Sequence, residues 1–125
     1  MKKIFIPCFA ALLLTNACKK DSISSSNETA VEYQVTAANY TAMTIFYNND
    51  SGQYVSGSYQ SGWKYGFKIS TKPFTAHVRA IPVNTTNINA NVSGTVTILV
   101  NGTVAENETN SGTGSTDIVA QYVIQ

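Results

Sequence analysis

From Val31 onward, apolar and polar residues alternate with a period of two, and this pattern constrains the fold more than any other feature of the chain. Such alternation is typical of β-strands that bury one face, whereas an amphipathic helix repeats every 3.6 residues. Runs of Asn, Asp, Ser and Gly, such as residues 48–52, separate the alternating segments and are typical of turns. The clearest alternating segments are residues 31–36, 43–47, 63–69, 76–80, 96–100 and 118–124. We therefore expect a chain built from strands.

The number and spacing of these segments predict an all-β domain. About seven short strands without a convincing helix favour an Ig-like antiparallel β-sandwich, with a small barrel as the alternative. A Cys-Trp-Cys pattern is missing, which argues against an antibody-type domain. Asn101 and Gly102 predict a tight hairpin, because both turn positions favour positive φ. The return strand is expected to cover residues 103–106, and residues 109–113 are expected to form a Gly/Ser loop.

The N-terminal segment, residues 1–17, reads as a bacterial lipoprotein signal peptide. Lys2 and Lys3 precede an apolar run over residues 4–14, which is shorter than the roughly 20 residues that a membrane-spanning helix needs. The run ends in Leu-Thr-Asn-Ala-Cys, so Cys18 occupies the position of the lipidated cysteine of a lipobox. An ordinary secretory signal cleaved near Ala17 and an uncleaved anchor are the alternatives.

This interpretation predicts three parts of the chain and its cellular location. Residues 1–17 would be removed, residues 18–30 would form a lipidated cysteine and a disordered Ser-rich tether, and residues 31–125 would form the sandwich domain. Several acyl chains on Cys18, palmitate among them, make anchoring durable, since two chains already suffice. The expected location is the cell envelope, with the outer membrane favoured because Lys19, not aspartate, follows the cysteine.

Composition and residue inventory argue against several classes of function. The formal net charge is only +1, and nucleic-acid binding would call for a basic patch. His77 is the only histidine and is expected to be an outward strand residue, so a catalytic triad or a zinc site finds no support. Glu106 and Glu108 could share one side of a strand, but they read as a solvated edge. No enzyme activity, metal or cofactor is therefore predicted.

Aromatic residues crowd the first half of the sequence and invite two interpretations. Trp63, Tyr65 and Phe67 share one strand face and are expected to fill the core. Phe46 falls opposite its apolar neighbours in the alternation, and Tyr54 and Tyr59 lie on a segment with few aliphatic residues. Exposed aromatic residues on a strand surface recognise sugars, lipids or proteins, so these last three form the candidate binding surface.

Several strand motifs carry a resemblance to a known family. They are residues 31–36 (Val-Glu-Tyr-Gln-Val-Thr), residues 43–47 with the Gly52 turn, Gly62-Trp63, Phe67, and the hairpin strand over residues 95–102. In these motifs the chain resembles the periplasmic domain of the MmpS family, small accessory proteins of RND-type lipid transporters. The resemblance spans most of residues 31–125 and implies a β-sandwich and an accessory role. Asn101 replaces the family's common aspartate, and a lipid anchor replaces its spanning helix.

Two functions follow as expectations. The first is a non-enzymatic, lipid-anchored accessory or adaptor protein that contacts a transporter or assembly component of the envelope. The second is a surface module that binds glycan or protein through exposed aromatic residues. A glycan binder should present at least two coplanar exposed aromatic rings, whereas an adaptor should present a flatter patch or an unpaired sheet edge.

Overall fold

The structure is a computed structural model, and it describes residues 27–125. These residues form eight β-strands and no helix. The strands are β1 (Thr29–Ala38), β2 (Ala42–Asn48), β3 (Tyr54–Ser58), β4 (Trp63–Ile69), β5 (Phe74–Val83), β6 (Asn91–Val100), β7 (Thr103–Thr113) and β8 (Ile118–Ile124). Each alternating segment identified in the sequence lies within one of these strands.

The strands form two antiparallel sheets that pack face to face. The first sheet has the order β4-β1-β6-β7, and the second has the order β3-β2-β5-β8. The predicted all-β sandwich is therefore confirmed, with eight strands in two separate sheets, not one closed barrel. Only β2–β3 and β6–β7 are hairpins between neighbouring strands of the same sheet, so most connections cross from one sheet to the other.

The core lies between the two sheets and is filled by the inward-facing residues of the alternating segments. Val31, Tyr33 and Val35 of β1 are buried, as are Ala76 and Val78 of β5. Inward-facing residues of the two sheets are removed from water together, and burial of apolar area contributes roughly 25 cal/mol per Å². The remaining buried apolar residues are Met43, Ile45, Tyr47, Ile69, Ala80, Val92, Val96, Ile98, Ile118, Ala120 and Ile124.

The β6–β7 hairpin confirms the turn predicted from Asn101 and Gly102. Both residues have positive φ, at 50° and 80°. The Asn101 side chain also accepts a hydrogen bond from the Ala30 backbone N–H at 3.0 Å, which ties the turn to the start of β1. The turn is thus stabilised by its backbone conformation and by its hydrogen bond to Ala30.

Strand β7 is much longer than expected. The predicted loop over residues 109–113 is wrong, since β7 runs to Thr113 and pairs with β6 along its length. Its polar residues remain exposed because β7 is an edge strand, and their hydroxyl and amide groups pair across the ladder. The Thr95 and Thr109 hydroxyls lie 2.9 Å apart, and the Thr97 hydroxyl bonds Asn107 Oδ1 at 2.9 Å. Strand pairing, not burial, therefore maintains this segment.

The expectations for the N-terminus fall mostly outside the described residues. The signal peptide and Cys18 lie there, as does the tether up to residue 26. The first strand begins at Thr29, two residues before the expected start of the domain at Val31. Over residues 27–125, no helix is long and apolar enough to cross a membrane.

Candidate functional site

Most of the aromatic side chains in residues 27–125 form a layer on the inner side of the sheets. We call this set the inner aromatic layer; its members are Tyr33, Tyr47, Tyr59, Trp63, Tyr65 and Phe67. The Tyr47 ring centroid lies 4.8 Å from that of Tyr65 and 5.0 Å from that of Trp63, and Tyr33 meets Phe67 edge-on at 5.3 Å. Trp63, Tyr65 and Phe67 pack against the core, as the shared face of β4 predicted.

Tyr33 is the polar centre of this layer. Its side chain is fully buried, and its hydroxyl donates to the Asn48 carbonyl at 2.8 Å and accepts from the His77 backbone N–H at 3.3 Å. Burial raises the pKa of Tyr33 well above its ordinary value, and burial together with Tyr59 raises the pKa of Tyr47 to about 12. Both hydroxyls therefore stay protonated at physiological pH.

Tyr59 belongs to the inner layer, not to an exposed surface. Its ring packs against Trp63 with centroids 5.0 Å apart and is partly buried against the core. The same ring lies over Gly57, where an added Cβ would come within 2.8 Å of its hydroxyl oxygen. Of the three candidate binding residues, Tyr59 is thus separated from the other two by the sheet itself.

Phe46 and Tyr54 lie together on the opposite, outward face of the second sheet. Their rings are nearly parallel, with an interplanar angle of 14° and centroids 5.8 Å apart. Tyr54 is 54% exposed, whereas Phe46 is half-buried. The pairing follows from strand register, since Phe46 lies opposite Ser56 and Asn48 lies opposite Tyr54.

Three polar residues lie beside this aromatic pair: His77, Arg79 and Asp117. We call the surface formed by these five residues the outer patch. The Arg79 guanidinium lies over the Phe46 ring, 5.8 Å from its centroid. Asp117 accepts two hydrogen bonds from Arg79, from Nε at 2.9 Å and from Nη2 at 2.6 Å. Bidentate geometry of this kind holds both planar groups in a defined orientation.

The charge of the outer patch is close to balanced. Hydrogen bonding from Arg79 lowers the pKa of Asp117, so the ion pair persists at physiological pH. The His77 ring lies 5.5 Å from the Tyr54 ring. Partial burial, and then the positive charge of Arg79, lower the pKa of His77 below 6.5, which keeps its imidazole neutral near pH 7. The patch therefore combines aromatic faces with polar groups and carries no net charge.

The outer patch continues along β8 and into a depression beside Asp117. Val119 lies opposite Arg79 and is 45% exposed, and Gln121 lies opposite His77. Asp117 and Val119 also line a shallow depression of about 350 Å³ between β7 and β8. Its other lining residues are Glu108, Thr109, Asn110 and Ile118.

Glu106 and Glu108 face the same side of β7, as the sequence suggested. They lie opposite Ile98 and Val96, whose side chains point into the core, so the two carboxylates occupy the inward side of an edge strand. Charged residues at such positions hinder strand addition at a sheet edge. Among residues 27–125, no group of three His, Cys, Asp or Glu is placed to hold a metal ion.

Sequence reasoning found two of the five outer-patch residues, Phe46 and Tyr54, as binding residues and expected His77 to face outward. It did not single out Arg79 or Asp117, nor the neighbouring Gln121. Arg79 and His77 alternate with buried residues of β5, which marks them as outward-facing. What the sequence did not contain is the neighbour relation β3-β2-β5-β8, which places these residues beside Phe46 and Tyr54.

Comparison with known proteins adds no assignment: no protein-family model matches the chain, and a search of curated proteins returns no match.

Proposed function

We propose that this chain is a non-enzymatic, lipid-anchored binding protein of the cell envelope that engages its ligand through the outer patch. The observation that carries the proposal is the nearly parallel Phe46–Tyr54 pair on a sheet face, flanked by the oriented Arg79–Asp117 pair. An exposed aromatic ring with fixed polar groups around it is a common composition for a recognition surface. The role of Cys18 as anchor rests on the lipobox alone.

The position of the first strand is compatible with such an anchor. Residues 19–28 separate Cys18 from Thr29, where β1 begins. Ten residues can span at most about 35 Å, even when fully extended. The domain would therefore stay near the membrane while its sheet faces remain accessible to a ligand in the envelope.

The proposal is tested by separating the anchor from the surface. The full-length chain should partition with the membrane fraction and carry acyl chains detectable by intact-mass analysis. Cys18→Ala should release it into the soluble fraction. The soluble Cys18→Ala protein should be retained on isolated envelope material, and adding Tyr54→Ala should reduce that retention. Adding Tyr122→Ala is the control, because it removes an exposed tyrosine of β8 that lies outside the outer patch, and retention should persist. Equal retention of the two double variants would contradict a role for the outer patch.

The edge of the second sheet favours a second candidate function, that of an adaptor. Strand β8 is the outermost strand of that sheet and contains no charged residue or proline. Val119, Tyr122 and Val123 expose 45%, 39% and 43% of their surface. Natural edge strands are usually protected by charges or prolines, and an unprotected edge can accept a strand from a partner protein. The accessory role implied by the MmpS resemblance would use this edge.

A charge on the β8 edge tests the adaptor. Val123→Lys should abolish crosslinking to an envelope partner, because a lysine disfavours strand addition, while Val104→Lys on β7 serves as the matched control. Crosslinking followed by mass spectrometry should recover a transporter or assembly component from the wild-type protein. Recovery of the same components from the Val123→Lys variant would remove the adaptor hypothesis.

A further inference from the structure

We propose that the outer patch is a carbohydrate site for a neutral oligosaccharide, in which a sugar ring stacks on Tyr54 and sugar hydroxyls bond Arg79, Asp117 and Gln121. This inference rests on the proposed function, because it names the ligand class of the same surface. Gln121 and Asp117 are assigned here as binding residues.

The aromatic part of the site suits the apolar face of a sugar ring. Tyr54 exposes 54% of its surface, and the nearly parallel Phe46 ring supports it at a centroid distance of 5.8 Å. The C–H groups of a pyranose form a small apolar face, which gains from covering an aromatic ring already held in place. Phe46 is half-buried and covered on one side by Arg79, so Tyr54 alone offers the accessible platform. The outer patch thus presents one exposed ring supported by a second, and not the two coplanar exposed rings that the sequence analysis expected of a glycan binder.

The polar part of the site matches the mixed donor and acceptor character of sugar hydroxyls. Arg79 uses two of its five N–H groups on Asp117, which leaves donors for a ligand. The Arg79 and Asp117 side chains are 38% and 48% exposed, so both remain accessible while they orient each other. Gln121 lies opposite His77 on the same face and adds an amide that both donates and accepts.

The charge balance of the surface selects a neutral ligand. Arg79 and Asp117 cancel each other, and His77 is neutral near pH 7 for the reasons given above. A phosphate or another polyanion would require unpaired cations, which the outer patch does not supply. Hydroxyl groups, in contrast, can bond an ion pair without breaking it.

The extent of the surface indicates several sugar units. Tyr54, Phe46, Arg79 and Val119 lie on four successive strands of the second sheet, which spans about 14 Å at ordinary strand spacing. Beyond Val119, the depression beside Asp117 adds the polar side chains of Thr109 and Asn110 and the carboxylate of Glu108, which accepts hydrogen bonds from sugar hydroxyls and repels an anionic ligand. A linear oligosaccharide can follow this row from the aromatic end to the polar end.

Affinity electrophoresis of the full-length protein in detergent tests the inference. The probes are native gels that contain soluble starch, β-1,3-glucan, mannan or arabinogalactan, with alginate and heparin as charged comparisons. We expect retardation by at least one neutral polysaccharide and by neither charged one. Tyr54→Ala should weaken that affinity about tenfold or more, because the stacking surface is lost. Gln121→Ala should weaken it less, and Tyr122→Ala should leave it unchanged.

The possible results separate this inference from the broader proposal. Thermal melting confirms that each variant is folded, and Gln121→Ala provides a second test that does not depend on an aromatic residue. Absence of retardation by all neutral polysaccharides, retardation only by the polyanions, or unchanged affinity of folded Tyr54→Ala would overturn the carbohydrate site. If no polysaccharide binds but envelope retention still depends on Tyr54, the surface binds a different class of ligand, and only the carbohydrate assignment fails.

Discussion

Phe46 and Tyr47 are neighbours in β2, yet they belong to aromatic clusters with opposite properties. Tyr47 faces inward, where its ring centroid lies within 5.0 Å of those of Trp63 and Tyr65 in a layer packed against the core. Phe46 faces outward, where it meets exposed Tyr54 and the Arg79 guanidinium. The same residue types thus stabilise the fold on one face of the sheet and form the outer patch, our proposed recognition surface, on the other. This comparison can be tested by substitutions that should affect stability or binding, but not both.

The largest expected effect comes from the centre of the inner aromatic layer. Tyr33→Ala should lower the free energy of unfolding by about 3–5 kcal/mol, because it leaves a cavity among Tyr47, Tyr65 and Phe67. Tyr33→Phe keeps the ring but removes the hydroxyl that joins Asn48 and His77, and should cost about 1–2 kcal/mol. Chemical denaturation measures both. Equal losses for the two variants would show that ring packing contributes little.

Two glycines extend the same comparison to the first sheet. An added Cβ at Gly94, on the inward side of β6, would lie 2.8 Å from Ile118 Cδ1 and 2.9 Å from the Thr36 carbonyl oxygen. Gly94→Ala should therefore destabilise the domain by about 1–3 kcal/mol. Gly66 lies on the outward side, where the nearest atom is 3.9 Å away. Gly66→Ala should be neutral or slightly stabilising, and a melting temperature below that of Gly94→Ala would contradict the assigned faces.

Tyr54 and Tyr59 provide the most direct comparison of the two aromatic clusters. Tyr59→Ala should cost about 1–3 kcal/mol, because the ring packs on Trp63 and against the core. Tyr54→Ala should change stability by less than about 1 kcal/mol, since it removes an exposed ring and one stacking contact. Denaturation and envelope retention, measured on the same preparations, should show opposite orders of effect. Loss of retention in folded Tyr59→Ala with none in Tyr54→Ala would reverse our assignment.

The smallest expected effect concerns pH. Folding lowers the pKa of His77 below 6.5, so on acidification the unfolded chain takes up this proton before the folded protein does. Its contribution to stability is complete above about pH 6.5 and is lost as pH falls through the folded pKa. The pKa of Asp117 is also lowered, but its contribution declines only below about pH 4. Thermal melts between pH 7.5 and 5.5 should show a smaller decline in His77→Gln than in the wild-type protein, and identical slopes would exclude His77 as the cause.

The sequence predicted which segments form strands better than it predicted where each strand ends. Residues whose alternation buries one face, such as those of β2 and β5, were recognised because hydrophobic periodicity reports burial directly. Strand β7 was recognised only at its start, because residues 107–113 bury almost nothing and are held by pairing with β6. The free energy of strand pairing depends on the partner strand, which cannot be identified from the local sequence. The same limitation explains why Arg79 and Asp117 were missed at the candidate site.

Local sequence by itself determined which side chains face inward and which face outward, because a period of two leaves no other arrangement for a strand with one buried face. It also determined the position of the tight turn at Asn101 and Gly102, because both residues readily adopt positive φ. Tertiary structure decided which outward residues become neighbours: sheet order brings β5 and β8 beside β2, and so joins Arg79 and Asp117 to Phe46 and Tyr54. It also decided that Tyr59 is a core residue, because the ring turns over Gly57 towards Trp63. The reason is that orientation along a strand is a local property, whereas adjacency between strands depends on how the whole chain minimises its exposed apolar surface.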